Sequence, residues 1–177
     1  MDKDPDQAVK WLALAAEKEL AEAQLYLGIC YDDGIGVKKD AAKAVEWYTK
    51  AARQGLAEAQ YNLGFCHANG NGVKQDHAQA VEWYTKSAKQ GFGRAQFNLG
   101  VCYLKGEGVT RDNKQAAEWF TRAALQGHVL AQFNLGVCHE NGIGMDKDLE
   151  KALNWYKKAA AAGHEGAAAR AKALQAK

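Results

Sequence analysis

Proline and serine are almost missing from this sequence of 177 residues, in which Pro5 and Ser87 are the only examples. Proline breaks helices and serine favours turns and helix ends, so their scarcity beside abundant alanine favours helix throughout the chain. No apolar run approaches the ~20 residues of a membrane-spanning helix. Charge of one sign is not in excess either, because 23 basic and 21 acidic residues leave a net charge of +2. That balance gives no reason to expect nucleic acid or an anionic membrane as the main partner.

A period of 36 residues runs through the chain without an insertion. The segment LGICYDDGIGVKKD at 27–40 recurs in closely similar form three times, at 63–76, 99–112 and 135–148. Each period contains two helical patterns, which we call helix A and helix B, joined by a GxG loop. Helix B follows an aspartate such as Asp76, a residue type that caps helices well. Two helices of this size cannot bury their apolar faces alone, so neighbouring repeats must stack.

The shared pattern AxAQxxLGxCxxxGxGVxxDxxxAxxWYxxAAxQG resembles the Sel-one-like repeat (SLR), a 36-residue relative of the tetratricopeptide repeat. The resemblance implies an all-α fold, a right-handed α/α superhelical solenoid that forms a single domain over residues 1–177. Residues 1–20 would supply a helix B alone and residues 165–177 a capping helix. The four full repeats between them would be 21–56, 57–92, 93–128 and 129–164.

About ten helices follow from this division, with bounds uncertain by a few residues. The B helices are expected at 5–18, 40–54, 76–90, 112–126 and 148–162. The A helices are expected at 21–33, 57–69, 93–105, 129–141 and 165–176. Gly64 and its equivalents fall in the middle of helix A, where glycine costs about 1 kcal/mol relative to alanine. Because this cost recurs in every full repeat, we expect a Trp or Tyr of helix B to pack closely against the glycine. We also expect the tryptophans to lie in the core.

The residues that could do chemistry are better explained as structural. A catalytic cysteine is needed once, whereas the chain repeats one in every full unit, which is typical of a small buried side chain. In the Cys–His pairs at 66–67 and 138–139, adjacent side chains diverge by about 100° and cannot converge on one metal. His128 and His164 fall in turns and are expected to be solvated. No strand precedes the GxG loops, so the context of a dinucleotide site is missing. We therefore predict no catalytic residue, no metal and no cofactor.

Cysteine spacing also bears on the compartment. Equivalent residues of stacked helices lie ~9–10 Å apart, whereas a disulfide needs Cα atoms within ~4.4–6.8 Å. Cys30, Cys66, Cys102 and Cys138 should therefore stay reduced, which predicts a reducing compartment. The opening MDKDPDQAVKW lacks the apolar core of a signal peptide. We expect a cytoplasmic protein; the chain would be periplasmic or secreted if a signal peptide had been removed from it.

Apolar residues also occupy the side of helix A that faces away from helix B. They lie one turn apart within each helix and in phase between repeats: Leu25, Ile29, Tyr61, Phe65, Phe97, Val101, Phe133 and Val137. By the resemblance, the A helices line a concave groove, and Asn62, Asn98 and Asn134 would hold the backbone of an extended peptide there. Two interpretations stay open. The apolar residues form a partner-binding groove, or they pack against adjacent helices inside a tight superhelix.

Charged residues give this predicted groove a polarity. Glu58 makes its beginning acidic, together with Glu22, while Arg94 and Lys105 make its centre basic. The bound segment should carry basic residues near the first repeat. It should carry an acidic group or a C-terminal carboxylate near Arg94 and Lys105. We expect Phe65 and Phe97 to lie outside the core between the helices and to anchor the partner.

The sequence thus predicts a protein-interaction adaptor without catalysis, whose partner is another protein or peptide, with no nucleic acid and no membrane insertion. Two alternatives stay open: a β-lactam-binding or β-lactam-hydrolysing enzyme, as associated with some SLR proteins, and a structural spacer in a longer array. The first helix B, with Trp11 and Leu12 on its packing face, has no helix A before it. It is therefore expected to be the least stable element or to be covered by self-association.

Overall fold

The computed structural model describes residues 5–176, and within them the chain forms ten α-helices and no strand. The helices are α1 Pro5–Glu17, α2 Ala21–Asp33, α3 Ala41–Arg53, α4 Ala57–Asn69, α5 His77–Lys89, α6 Gly93–Lys105, α7 Asn113–Leu125, α8 Val129–Asn141, α9 Leu149–Ala161 and α10 Glu165–Gln175. Even-numbered helices are A helices and odd-numbered helices are B helices. The predicted all-α class and helix bounds are confirmed to within one or two residues.

The chain divides into two compact units, Met1–Gln90 with α1 to α5 and Gly91–Lys177 with α6 to α10. Each unit has its own buried clusters, formed where A and B helices meet. The interpretation of all 177 residues as one solenoid stays a prediction. No helix within residues 5–176 is both long and apolar enough to cross a membrane.

Helix ends follow the repeated sequence signals. Each B helix from α3 onward begins at an aspartate whose carboxylate accepts a backbone N–H of the first turn, as Asp76 does from Gln79 at 3.0 Å. Helix α6 ends at Gly106, whose N–H donates to the Cys102 carbonyl at 2.8 Å. The next N–H, that of Glu107, donates to the same oxygen at 3.1 Å. The first amides of the GxG loop therefore close the helix and are not free to cradle a phosphate.

The second glycine of the GxG loop packs against the preceding helix B. Gly72 has a φ of 68°, and a Cβ built on it would overlap the carbonyl of Ala41 at the start of α3. Gly144 meets Asn113 at the start of α7 in the same way. The second glycine of the loop therefore allows successive repeats of one unit to pack closely.

The mid-helix glycines face the aromatic rings of helix B, as predicted. A Cβ on Gly64 would lie 2.8 Å from the Tyr84 ring, and one on Gly100 would lie 2.7 Å from the Phe120 ring. The ring in contact is always this Tyr or Phe. The tryptophans lie at the margin of the core, since only Trp119 is buried while Trp11 is exposed. The prediction that all tryptophans are core residues is thus wrong for Trp11, and the aromatic ring against each glycine belongs to the next residue of helix B.

The repeated AQ dipeptide supplies a buried hydrogen-bond relay. In α2, the Gln24 Nε2 donates to the Ala16 carbonyl at 3.2 Å, and the Gln24 Oε1 accepts from the Gln54 Nε2 at 2.8 Å. In α8, the Gln132 Nε2 donates to the Ala124 carbonyl at 3.3 Å. Ala162, however, stands where earlier repeats have the second glutamine. The Oε1 of Gln132 is consequently buried without a hydrogen-bond partner among residues 5–176.

All four cysteines are free and buried, as predicted. Burial raises the pKa of the Cys66 thiol to about 12 and that of the Cys102 and Cys138 thiols to about 11. The pKa of Cys30 is also raised, by burial and by the nearby Asp33. The thiols are therefore protonated at neutral pH, in a state that is neither nucleophilic nor metal-binding.

A candidate peptide-binding surface on the A helices

Each A helix places four residues in one stripe, at spacings of four, three and four residues. On α6 the stripe is Arg94, Asn98, Val101 and Lys105. On α8 it is Leu130, Asn134, Val137 and Asn141. We call the side of the A helices formed by these stripes and the adjoining aromatic residues the A-helix face. Each unit carries an A-helix face of its own.

In the second unit, Phe97 of α6 packs between two other rings. Its centroid lies 5.9 Å from that of Phe120 on α7 and 4.7 Å from that of His128, with the imidazole nearly parallel to it at 23°. His128 is also the N-cap of α8, because its Nδ1 accepts the N–H of Ala131 at 3.3 Å. Burial, with a smaller contribution from Arg94, lowers the pKa of His128.

The next repeat builds the same arrangement. The Phe133 centroid lies 5.6 Å from that of Tyr156 and 4.3 Å from that of His164, whose plane is 15° away. The Nδ1 of His164 accepts the N–H of Ala167 at 3.1 Å and caps α10. The expectation that His128 and His164 are solvated turn residues is wrong, because each is half-buried as both a helix cap and a ring-stacking partner.

These contacts change the interpretation of the apolar residues. Phe97 and Val101 pack against one buried cluster of the second unit, and Phe133 and Val137 pack against another. All four are half-buried. The prediction that Phe97 lies outside the inter-helix core is wrong, since one side of its ring contacts helix B and only the remainder reaches the A-helix face.

The asparagine side chains of the A-helix face make no hydrogen bond within the described residues. Asn98 on α6 and Asn134 on α8 are half-buried, and neither side chain makes a hydrogen bond with another residue of the described chain. Neither belongs to the buried polar atoms that lack a partner, so water reaches their amides. Asn62 on α4 of the first unit is in the same state. Each amide offers two donors and one acceptor beside apolar surface.

Cations border the face in the second unit. Arg94 is exposed and pairs with no carboxylate among residues 5–176. Lys105 is also exposed, but its Nζ lies 3.5 Å from an Oε1 of Glu107, which offsets its charge. Arg170 occupies on α10 the repeat position of Asn134, and its guanidinium lies 3.3 Å from Glu140. The basic character predicted around Arg94 and Lys105 therefore rests mainly on Arg94.

Glu140 is held by two partners. Its Oε2 accepts the hydroxyl of Tyr156 at 2.6 Å, while its Oε1 faces Arg170. Burial and this hydrogen bond raise the pKa of the Tyr156 hydroxyl. The two contacts orient Arg170 at the last A helix, a residue that the sequence interpretation missed. Arg170 lies one repeat of 36 residues after Asn134, and this equivalence in the sequence could have identified it.

The first unit departs further from the predicted groove. Leu25 is buried, with 3% of the residue's surface exposed, and belongs to the core cluster; its prediction as a groove residue is wrong in this respect. Ile29 packs against the same cluster and is half-buried. Tyr61 lies 5.9 Å from Tyr84, whereas Phe65 is 43% exposed. Phe65 is therefore the one member of the predicted apolar series within residues 5–176 that is exposed, the others being buried or half-buried.

One acidic side chain, that of Glu58, accompanies Phe65. Glu58, Asn62 and Phe65 belong to one stripe of α4, and Glu58 is exposed. No set of three or more His, Cys, Asp or Glu side chains in residues 5–176 is placed to hold a metal ion. Each unit thus combines half-buried apolar side chains with bordering charges and with asparagine amides that have no hydrogen-bond partner among residues 5–176.

The Sel1 repeat model matches this chain at residues 1–20, 21–56, 57–92, 93–128 and 129–164. Comparison with curated proteins gives no match. Among solved structures, c5321, a protective antigen of uropathogenic Escherichia coli with an SLR fold, is 42% identical with a TM-score of 0.88, over 90% of this chain and 34% of that one. A Sel1 repeat protein from Oxalobacter formigenes is 35% identical with a TM-score of 0.85, and the match covers 92% of this chain and 64% of that protein. Cysteine rich protein B of Helicobacter pylori is 26% identical with a TM-score of 0.58, and the match covers 75% of this chain and 96% of that protein. This chain thus spans about a third of the first protein's length and under two thirds of the second's.

Proposed function

Because this chain belongs to the Sel1 repeat family, whose members are protein-interaction modules, we propose that it binds an extended segment of a partner protein on its A-helix face and performs no catalysis. One observation carries the proposal: the side-chain amides of Asn98 and Asn134 make no hydrogen bond within residues 5–176 and lie beside half-exposed aromatic rings. A polar group with no partner of its own next to apolar surface is suited to a ligand that brings both backbone and side chains.

An extended peptide fits this chemistry. It presents N–H and C=O groups at each residue and turns alternate side chains to opposite sides. The amides of Asn98 and Asn134 would bind the backbone, while apolar side chains would pack on the exposed parts of Phe97 and Phe133. Arg94 carries an unpaired charge next to His128, so the segment bound by the second unit would bring an acidic side chain or a C-terminal carboxylate there.

The first unit favours a segment of opposite charge. Glu58 lies on the same stripe as Asn62 and Phe65, so basic side chains suit this part of the face. The anchoring energy should come mainly from apolar contacts with Phe65, because exposed ion pairs contribute only ~0–1 kcal/mol each. Tyr26 replaces asparagine on α2 and is exposed, so backbone recognition in this unit depends on Asn62.

The β-lactam alternative needs an accessible nucleophile, and neither the serine nor the cysteines of residues 5–176 are accessible. Ser87 is fully buried, and its hydroxyl donates to the Ala57 carbonyl at 2.6 Å. The four thiols are buried with raised pKa values. These observations favour the adaptor over the enzyme. A spacer role would leave the amides and aromatic rings of the A-helix face without a purpose, and the binding experiment below distinguishes the two.

The test is selection of binding peptides from a displayed random library by the full chain, followed by fluorescence anisotropy with the selected peptides. The double variant Asn98→Ala/Asn134→Ala should weaken binding at least about tenfold, which is about 1.4 kcal/mol. Asn154→Ala, which removes an exposed asparagine from helix B α9, should leave binding unchanged. Equal binding by the double variant and the wild type, with circular dichroism unchanged, would contradict the proposal, as would failure to select any peptide.

A further inference from the structure

Two stacked ring pairs form the same frame twice on the A-helix face of the second unit. We call Phe97 with His128 the first frame and Phe133 with His164 the second frame; their ring centroids lie 4.7 Å and 4.3 Å apart. In both frames the imidazole Nδ1 accepts an N–H of the A helix that follows it. In both, an asparagine of the A-helix face comes directly after the phenylalanine. The two frames therefore offer a ligand the same rings and the same amide.

Each histidine of the frames also carries an unused donor. Because the Nδ1 of His128 and of His164 accepts a backbone N–H, the neutral ring holds its proton on Nε2. Neither Nε2 donates to another residue within 5–176, and neither belongs to the buried polar atoms that lack a partner. Both N–H groups are therefore available to a carbonyl or carboxylate oxygen of a ligand.

One exposed position distinguishes the two frames. It lies three residues before the phenylalanine and is occupied by Arg94 in the first frame and by Leu130 in the second. Arg94 pairs with no carboxylate among residues 5–176, and Leu130 is 48% exposed. The same repeat position holds Glu22 and Glu58 in the first unit. In the second unit the side chain at this position thus changes from cationic to apolar while the frame around it stays the same.

We propose that this position selects the side chains of the bound segment, so that the second unit recognises an acidic side chain at Arg94 and an apolar side chain at Leu130. The inference rests on the proposed function, because it specifies the ligand of the same surface. A guanidinium without a partner attracts a carboxylate, and the Nε2–H of His128 is a second donor in the same frame. An exposed leucine one turn from the Phe133 ring favours an apolar side chain instead.

The spacing of the A helices sets the distance between the two selected side chains. Helices α6 and α8 contribute to the same buried cluster, and packed helix axes lie ~8–10 Å apart. Arg94 and Leu130 occupy equivalent positions on these two helices, so about one helix spacing separates them. A polyproline II segment rises ~3.1 Å per residue and completes a turn in three, which places side chains three residues apart on one side at ~9 Å. The acidic and apolar side chains should therefore be three residues apart.

The acidic group should be a side chain of the segment. Arg94 and Asn98 lie one turn apart on the same stripe of α6, and the Asn98 amide binds the backbone in the proposed function. An aspartate or glutamate brings a backbone amide for Asn98 and a carboxylate for Arg94 together. A C-terminal carboxylate is itself the end of the backbone and can satisfy only one of the two.

The test uses peptides built on a sequence that the full chain selects from the displayed library, with both ends blocked so that no terminal charge is present. Two positions three residues apart are made acidic and apolar in both orders, both apolar, or both acidic. Fluorescence anisotropy gives the dissociation constant of each peptide. Wild type should bind a mixed peptide about threefold to fivefold more tightly than the other two kinds, the effect of one exposed ion pair or apolar contact.

Single substitutions should move this preference in opposite directions. Arg94→Leu should prefer the peptide with two apolar side chains, and Leu130→Arg should prefer the peptide with two acidic ones. Both positions are exposed, so circular dichroism should stay unchanged. Lys105→Leu is the matched control, because it removes from the same stripe of α6 a cation whose charge Glu107 already offsets. It should keep the preference of the wild type.

The outcomes separate this inference from the proposed function. If binding still requires Asn98 and Asn134 but Arg94→Leu and Leu130→Arg leave the preference unchanged, this inference is overturned and the proposed function stands. Tighter binding of peptides with a free C-terminal carboxylate than of their blocked forms would also overturn it. Binding that requires neither asparagine, or failure to select any peptide, would overturn the proposed function and this inference together.

Discussion

The imidazole of His164 lies flat on the ring of Phe133, with centroids 4.3 Å apart, while its Nδ1 accepts the N–H of Ala167. His128 makes the same pair of contacts with Phe97 and Ala131. Each histidine thus ends a turn, caps an A helix and supports a ring of the A-helix face. A proton on the Nδ1 of His128 removes this acceptor and places a positive charge at the N-terminus of α8, which is unfavourable.

Stability should consequently fall in mild acid. Burial lowers the pKa of both His128 and His139 in the folded protein, whereas in the unfolded chain each titrates near the ordinary value of about 6.5. The unfolded chain then binds more protons below about pH 6.5, so the free energy of unfolding decreases as pH falls from that value. Urea unfolding at about pH 7.5 and about pH 5.5 measures the change.

His128→Asn is the matched variant, because asparagine caps a helix without titrating. It should make the free energy of unfolding less dependent on pH over the same interval. A variant that keeps the full pH dependence of the wild type would show that His128 is not one of the groups responsible.

Gly100→Ala should destabilise the protein by about 1–3 kcal/mol, the usual cost of overpacking a core. The added methyl carbon would lie 2.7 Å from the Phe120 ring, which is fully buried. Gly93→Ala, on the same helix, is the control, because its methyl carbon would have no neighbour closer than the Gln126 side chain at 3.7 Å. Thermal unfolding should show a lower Tm for the first variant only; equal Tm values would refute this account of the mid-helix glycines.

Ala162→Gln should stabilise the protein by about 0.5–1.5 kcal/mol, the net value of one hydrogen bond. The new amide can donate to the buried Oε1 of Gln132, as Gln54 does to Gln24 in the first unit. The reciprocal change Gln54→Ala should lower stability, since it removes the donor to Gln24. Chemical unfolding of both variants tests the relay, and no gain in stability from Ala162→Gln would contradict it.

Phe97→Ala should cost about 1–3 kcal/mol of stability, less than a fully buried phenylalanine, because one side of the ring packs on Phe120 and His128. Phe65→Ala should stay within about 0.5 kcal/mol of the wild type, since Phe65 is exposed. Urea unfolding of the two single variants separates them. If Phe65→Ala proved the more destabilising, Phe65 would belong to the core.

The helices could be predicted almost residue by residue because their signals are local. Asp76 accepts its helix N–H from three residues away, and Gly106 closes its helix onto Cys102, four residues before it. The close approach of Gly64 to helix B could also be predicted, since a repeated cost in helix propensity needs a packing reason. These features depend on contacts that every repeat makes in the same way.

The A-helix face could be predicted only in part, because its exposure depends on which residue of the next repeat covers it. Leu25 and Phe65 both appear apolar and outward-facing on a helical wheel, yet one is buried and the other exposed. His128 covers Phe97 from 31 positions further along the chain, and no local pattern reports such a contact. The burial of each apolar residue therefore required the structure.

The most direct test of the account is the chemical shift of the side-chain amides in a ¹H–¹⁵N spectrum while a selected peptide is added to the full chain. Single Asn→Ala variants assign the signals of Asn98, Asn134 and Asn154. The account predicts that Asn98 and Asn134 shift in proportion to peptide bound while Asn154 on α9 stays in place. Unmoved signals of Asn98 and Asn134 at saturation, with changes confined to the B helices, would contradict the assignment of the A-helix face as the binding surface.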